Sequence, residues 1–171
     1  MKNKNVLKLE NGSKIGVVGG GPSGACFTYY LHDLSERVGK NFEVDIFEWQ
    51  DFSRTGPKGC NHCGGIVSES LVQILFSEGV NIPSKVVQRG IDSYMLHMNV
   101  GSVRIETPRL EKRIAAMYRG AGPKNSVDSK WESFDNFLLE LTKKKGTNVI
   151  RDRVDSIEIE NGKPCVSTKK A

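Results

Sequence analysis

Three glycines in the run VVGGGPSGA, namely Gly19, Gly21 and Gly24, have the Gly-x-Gly-x-x-Gly spacing with which a chain can pass close to a diphosphate. The first permits a sharp turn out of a strand, the second lets the main chain approach a pyrophosphate, and the third lets the next helix pack tightly. Gly20, Pro22 and Ser23 complete the turn, and Pro22 suits a first helical position because its missing N–H costs little there. Amides at the start of that helix would face the phosphates, with the helix dipole adding to the attraction. Glu48 follows at about the 20-residue spacing at which a carboxylate meets ribose hydroxyls. Its charge would repel a 2′-phosphate, which disfavours NADP. Glycines in a loop and an acid at a strand end are each common, so the pattern has value only between a strand and a helix.

A second group is Cys60-Asn61-His62-Cys63. A structural zinc site takes four ligands, and no second ligand pair stands at a suitable distance along the chain, so no metal is expected. A redox dithiol ordinarily opens a helix, whose dipole lowers the thiol pKa, but here Gly64-Gly65 follow. Two buried thiols in a tight turn remain an equal reading for Cys60. His32 and His97 have no acidic partner nearby in the sequence and read as packing or surface residues. Tyr29 and Tyr30 read as core, and Cys26 and Cys165 as simply buried. No general acid or base can be named.

The elements that must position these residues are legible. KIGVVG, residues 14–19, is a short apolar run of the kind found in a central parallel strand buried on both faces. After Gly24, Ala25, Tyr29, Leu34 and Val38 recur near helical spacing, with Gly39 as a stop. FEVDIFE, residues 42–48, resumes β character and closes a strand-helix-strand unit of about 30 residues. Residues 51–65 are glycine-rich and aperiodic, hence a functional loop. Ser68 caps a helix through Phe76 that should bury Leu71, Val72, Leu75 and Phe76, with Gly79 ending it.

Further on, Tyr94, Leu96 and Met98 alternate with polar residues and precede a turn at 99–102, then Val103 and Ile105, which predicts a β-hairpin. Residues 118–130 are turn-rich and expected to be exposed. Ser133 opens a helix carrying Phe134, Phe137, Leu138 and Leu141 on one face, with Asp135 in its first turn, lysines in its last and Gly146 beyond. Asn148 to Ile150 is a strand, and Val154, Ile157 and Ile159 point one way in the next. Asn161-Gly162 turns that strand into a partner running through Val166.

The chain has 171 residues, enough for one well-buried domain, with a formal charge of +5 and a pI near 9.0. Its lysines sit at the ends and at 143–145 without interleaved aromatics, which argues for a solvated surface and against nucleic-acid binding. No apolar stretch reaches the roughly 18–20 residues of a membrane span, and the polar start lacks the core of a secretory signal. A cytoplasmic protein with free thiols is expected.

GGGPSGACFTYYL with VDIFE resembles the FAD-binding start of flavoprotein oxidoreductases related to aromatic-ring hydroxylases. KGCNHCGGIVSESL resembles the Cys-Gly-Gly loop and following helix of the geranylgeranyl reductase family, and SFDNFLLELTKKKGTNVIRDRVDSIE its helix and strand around a Phe-Asp pair. The first match is shared by many flavoproteins, while the Cys-Gly-Gly loop is the more specific. Together they cover most of the chain from Lys14 onward. The resemblance implies FAD, with NAD(P)H as a compatible electron donor, and hydride transfer between flavin and a hydrophobic, isoprenoid-like substrate. Peripheral membrane contact would be compatible with such a substrate.

It also implies that Cys63, Gly64 and Gly65 form a close-packed loop beside the isoalloxazine ring and that Val154 lies in the segment beside the adenine. Two departures stand out. Family members place an arginine shortly before the Phe-Asp pair, whereas Trp131-Glu132-Ser133 precede Phe134 here and the nearest arginine is Arg119. Family members also carry a later Gly-Asp motif and then a substrate domain, and these 171 residues are expected to stop before either.

The expectation is therefore an α/β, Rossmann-like FAD/NAD(P)-binding three-layer domain, with a parallel sheet and a β-meander, incomplete at its C-terminus. It would span residues 1–171, with an inserted loop, helix and hairpin region at about 51–112. The alternatives are a truncated nucleotide-binding module without turnover, and a NAD-using or non-redox Rossmann protein.

Overall fold

The computed structural model describes residues 8–54, 65–106, 114–119 and 131–169. In chain order the elements are β1 (Lys14–Val18), α1 (Pro22–Arg37), β2 (Glu43–Phe47), β3 (Ile66–Ser68), α2 (Glu69–Ser77), β4 (Val87–Ile91) and β5 (Ser93–Met98). Then follow β6 (Gly101–Glu106), β7 (Ile114–Met117), α3 (Phe134–Lys144), β8 (Asn148–Ile150), β9 (Val154–Glu160) and β10 (Lys163–Thr168). The chain forms two compact units, one of residues 1–51 and 138–171 and one of residues 52–137, with the boundary inside α3.

In the first unit β1, β2 and β8 form a parallel sheet in the order β1-β2-β8, with β1 and β2 joined through α1. Val44 and Ile46 of β2, Ala25 of α1, and Leu138 and Leu139 of α3 are its buried apolar residues. The expectation that β1 is central and buried on both faces is corrected. Among the described residues β1 has a partner on one edge only, and Lys14, Gly16 and Val18, which alternate along one face of the strand, are exposed.

The expected buried face of α1 is corrected as well. Ala25, Thr28, His32 and Ser35 face inward, Tyr29 is half-buried, and Leu34 and Val38 are exposed together with Phe27. The cause lies at the start of the helix. Gly24 is pressed against the Gly19 carbonyl, and residues 25, 28, 32 and 35 continue that same face at helical spacing.

Gly39, at φ +66°, ends α1 as expected: its N–H donates to Glu36 O (3.1 Å) and that of Lys40 to Ser35 O (2.9 Å), which satisfies the last carbonyls. Gly79 and Gly146 end α2 and α3 in the same way, with Val80 N–H donating to Leu75 O and Thr147 N–H to Thr142 O.

Asn161 and Gly162, at φ 51° and 77°, make the two-residue turn predicted between β9 and β10. Ile157 lies opposite Val166 and Ile159 opposite Pro164. Val154 lies opposite Thr168 across a register shift, so a bulge lets residues three apart share one face. Val166 lies over Gly16 of β1, while Ile157 and Ile159 are exposed.

In the second unit β3, β7 and β4 form an antiparallel sheet in the order β3-β7-β4. Ser68 caps α2 by accepting from Leu71 N–H at 3.2 Å. Of the four residues expected to be buried there, only Leu75 is; Val72 is half-buried, and Leu71 and Phe76 are exposed, because the helix lies against the unit along a narrow stripe. Tyr118, expected to be exposed, is buried. Its N–H donates to Val86 O and its carbonyl accepts from Phe134 N–H, which ties β7 to β4 and to the start of α3.

β5 and β6 pair as the predicted hairpin, in which Tyr94, Leu96, Val103 and Ile105 share one exposed face. Among the described residues no helix is long and apolar enough to cross a membrane.

Candidate functional site

The glycine turn joins β1 to α1. Gly19 leaves the strand at φ +96°, a conformation that favours glycine, and donates its N–H to Phe47 O at 2.9 Å. Gly21 is the N-cap of α1, Pro22 its first residue, and Ser23 and Gly24 its first turn. A Cβ on Gly24 would stand 1.9 Å from the Gly19 carbonyl oxygen, so only glycine lets the helix start so near the strand end. No side chain caps α1 and no acidic residue lies in its first turn. The positive end of the helix is thus left for an anion from outside.

Glu48, one residue past β2, is buried and turned toward this bend. Its Oε2 accepts from Gly20 N–H at 2.8 Å and its Oε1 from Gln50 N–H at 2.7 Å. A Cβ on Gly20 would come within 2.9 Å of Glu48 Cβ and 3.2 Å of Leu139 Cδ1. Each carboxylate oxygen has a second lone pair beyond the one its main-chain amide occupies, so ribose hydroxyls can still be received. The residues fit a dinucleotide: uncapped amides for the diphosphate, and next to them an oriented acid for the sugar.

Of the residues singled out in the sequence, Gly19, Gly20, Gly21, Pro22, Ser23, Gly24 and Glu48 come together here. Val154, half-buried, opens β9 in the same unit. Gly65 belongs to the second unit. It sits at φ +66°, where a Cβ would stand 2.0 Å from Met117 O, and its carbonyl accepts from Met117 N–H at 2.7 Å. Its glycine character is thus accounted for by β7. Cys60, Cys63 and Gly64 lie outside the described residues. Among the described residues no group of His, Cys, Asp and Glu is arranged to hold a metal ion.

Arg119 reaches the Phe-Asp pair by a fork: its Nε donates to Asp135 Oδ2 at 2.8 Å and its Nη2 to Asp135 Oδ1 at 2.6 Å, with Asp135 fully buried. His32 is buried and bonded to Thr147 Oγ1 at 2.8 Å, a packing role as expected, while His97 is exposed and bonded to Ser102. Burial pushes the Cys26 thiol pKa up; Cys165, expected to be buried, is exposed on the outer face of its hairpin. Two residues beside the site carried no motif. Gln50 holds Glu48, and Arg151, one residue past β8, donates to Gln50 O. Only the pairing of β2 with β8, which are about a hundred residues apart in sequence, reveals them.

No protein-family model matches the sequence, and no curated protein does. Solved structures do. The flavin-dependent brominase Bmp2 superposes with a TM-score of 0.60 at 15% identity, over 91% of this chain and 33% of its own. The halogenase PltM gives 0.56 at 15%, over 93% and 32%, and a flavin-dependent halogenase from Xanthomonas campestris 0.54 at 11%, over 94% and 40%. The chain shares its fold with flavin-dependent halogenases. It spans about a third to two fifths of the length of these solved chains.

Proposed function

We propose that this chain is the N-terminal, FAD-binding portion of a flavin-dependent oxidoreductase. The observation that carries the reading is the Glu48 carboxylate bonded to Gly20 N–H at 2.8 Å, next to a helix start that only Gly24 allows. In this reading the amides from Gly19 to Gly24 hold the diphosphate, Glu48 the adenosine ribose, and Val154 the adenine edge. The resemblance of KGCNHCGGIVSESL to the Cys-Gly-Gly loop of geranylgeranyl reductases supports a flavin-contacting role for Cys63, Gly64 and Gly65. FAD supplies hydride transfer when bound; the residues present here bind and orient it.

A longer protein is supported by the outer edge of β1, which no described strand covers, and by the exposed stripe of Phe27, Leu34 and Val38 on α1. The resemblance of the Cys-Gly-Gly loop to geranylgeranyl reductases supports a hydrophobic, isoprenoid-like substrate, with NAD(P)H as donor, handled in the cytoplasm or at a membrane surface.

The test is titration of the protein with FAD and, separately, with NAD. Saturable uptake of FAD that survives gel filtration, with flavin absorption in the protein peak, is expected. Binding of NAD with no retained flavin would overturn the reading. A second reading follows from the solved neighbours, which are halogenases. Product formation by the complete protein that depends on bromide or chloride would favour it over double-bond reduction.

A further inference from the structure

We infer that Arg151 is a positioning residue for the ribose-binding carboxylate; this rests on the nucleotide reading above. Arg151 follows β8, and its guanidinium approaches the turn after β2 from the neighbouring strand. Its Nη1 donates to Gln50 O, and its Nη2 lies 3.8 Å from Asp51 Oδ1.

Gln50 is thereby held by both of its main-chain polar groups, the carbonyl by Arg151 and the N–H by Glu48 Oε1 at 2.7 Å. The other carboxylate oxygen takes Gly20 N–H at 2.8 Å, and Glu48 N–H donates to Ile150 O at 3.0 Å. A continuous line of polar contacts runs from Arg151 through Gln50 and Glu48 to the phosphate turn. Glu48 has a flexible side chain on a turn outside any strand. Without an anchor on Gln50, its Oε1 partner would be free to swing, and the carboxylate plane with it. Arg151 is itself partly exposed and lies on the Gln50 side of the acid, so it acts through the turn rather than on the nucleotide.

Affinities for ADP and 2′,3′-dideoxy-ADP separate this role from a general one, because only ADP offers the hydroxyls that Glu48 would receive. In the full chain, Arg151→Ala is expected to weaken ADP about fivefold, the worth of one hydrogen bond, and dideoxy-ADP less than about twofold. Arg151→Lys, which can still donate to Gln50 O, should recover ADP affinity to within about twofold. In a Glu48→Gln background Arg151→Ala should change nothing further. Equal losses for both nucleotides, no loss for ADP, or full additivity with Glu48→Gln would each overturn the assignment. Failure of the nucleotide reading has its own signature: the wild-type chain binds neither ADP nor its dideoxy form, and the Arg151 role falls with it.

Discussion

Replacing Gly24 by alanine puts a methyl carbon 1.9 Å from the Gly19 carbonyl oxygen and 3.1 Å from its carbon. A carbon and an oxygen in contact settle near 3.3 Å, so the two must part by about 1.4 Å. The obstacle is main chain, and it is held: Gly19 N–H is bonded to Phe47 O at 2.9 Å and its φ is +96°. Overfilling a site with yielding side chains costs about 1–3 kcal/mol, and a clash of backbone against backbone belongs at the top of that range, about 3 kcal/mol. Stability totals about 5–15 kcal/mol for a typical domain, and each kcal/mol is worth roughly 2–4 °C at this chain length. Thermal unfolding followed by circular dichroism should therefore show a drop of about 6–12 °C.

Gly39→Ala is the comparison. Its φ is +66° but no atom lies within 4 Å of the added carbon, so only the left-handed conformation is penalised. That costs about 1–2 kcal/mol, roughly 2–8 °C. If Gly24→Ala melts no lower than Gly39→Ala, α1 does not press on the turn and the reasoning about the site fails.

Thr28 Oγ1 is fully buried and has no hydrogen-bond partner among the described residues, so Thr28→Val should stabilise the chain by about 1 kcal/mol in urea unfolding. A loss of that size would mean the hydroxyl is satisfied. His32 has its pKa lowered by burial first and by Lys145 second, with Glu36 opposing. The unfolded chain therefore takes up this proton first as pH falls below about 6.5. Stability from neutral His32 is full above that pH and is lost on the way down to the folded-state value. Unfolding free energies at pH 7.5 and 5.5 should fall more for the wild type than for His32→Gln; equal falls would contradict the buried, neutral imidazole.

The glycine turn was legible because its constraints are local: a positive φ at Gly19 and a main-chain contact at Gly24 can be met by one residue type only, and the sequence shows it. The helix stops Gly39, Gly79 and Gly146 and the Asn161-Gly162 turn were legible for the same reason. Which face of each element is buried was less so. Tyr29, Leu34 and Val38 look like a core stripe on α1, yet the approach of Gly24 to Gly19 fixes the rotation and turns Thr28, His32 and Ser35 inward. β1 looks like a central strand by composition, but its position follows from how many partners it has, which no local pattern encodes. The brace on Glu48 from Arg151 was invisible, since it depends on β8 lying beside β2.

The contact between residues 20 and 48 has a meaning for descent as well as for binding. With a carbon on residue 20 set to land 2.9 Å from the Cβ of residue 48, an atom that every residue but glycine carries, position 20 cannot be enlarged without moving the turn. Shortening the side chain at 48 would not make room, because the obstacle is its first carbon, and Leu139 Cδ1 at 3.2 Å is close as well. Sequences that diverge from this one elsewhere should keep glycine at position 20 whichever residue stands at 48.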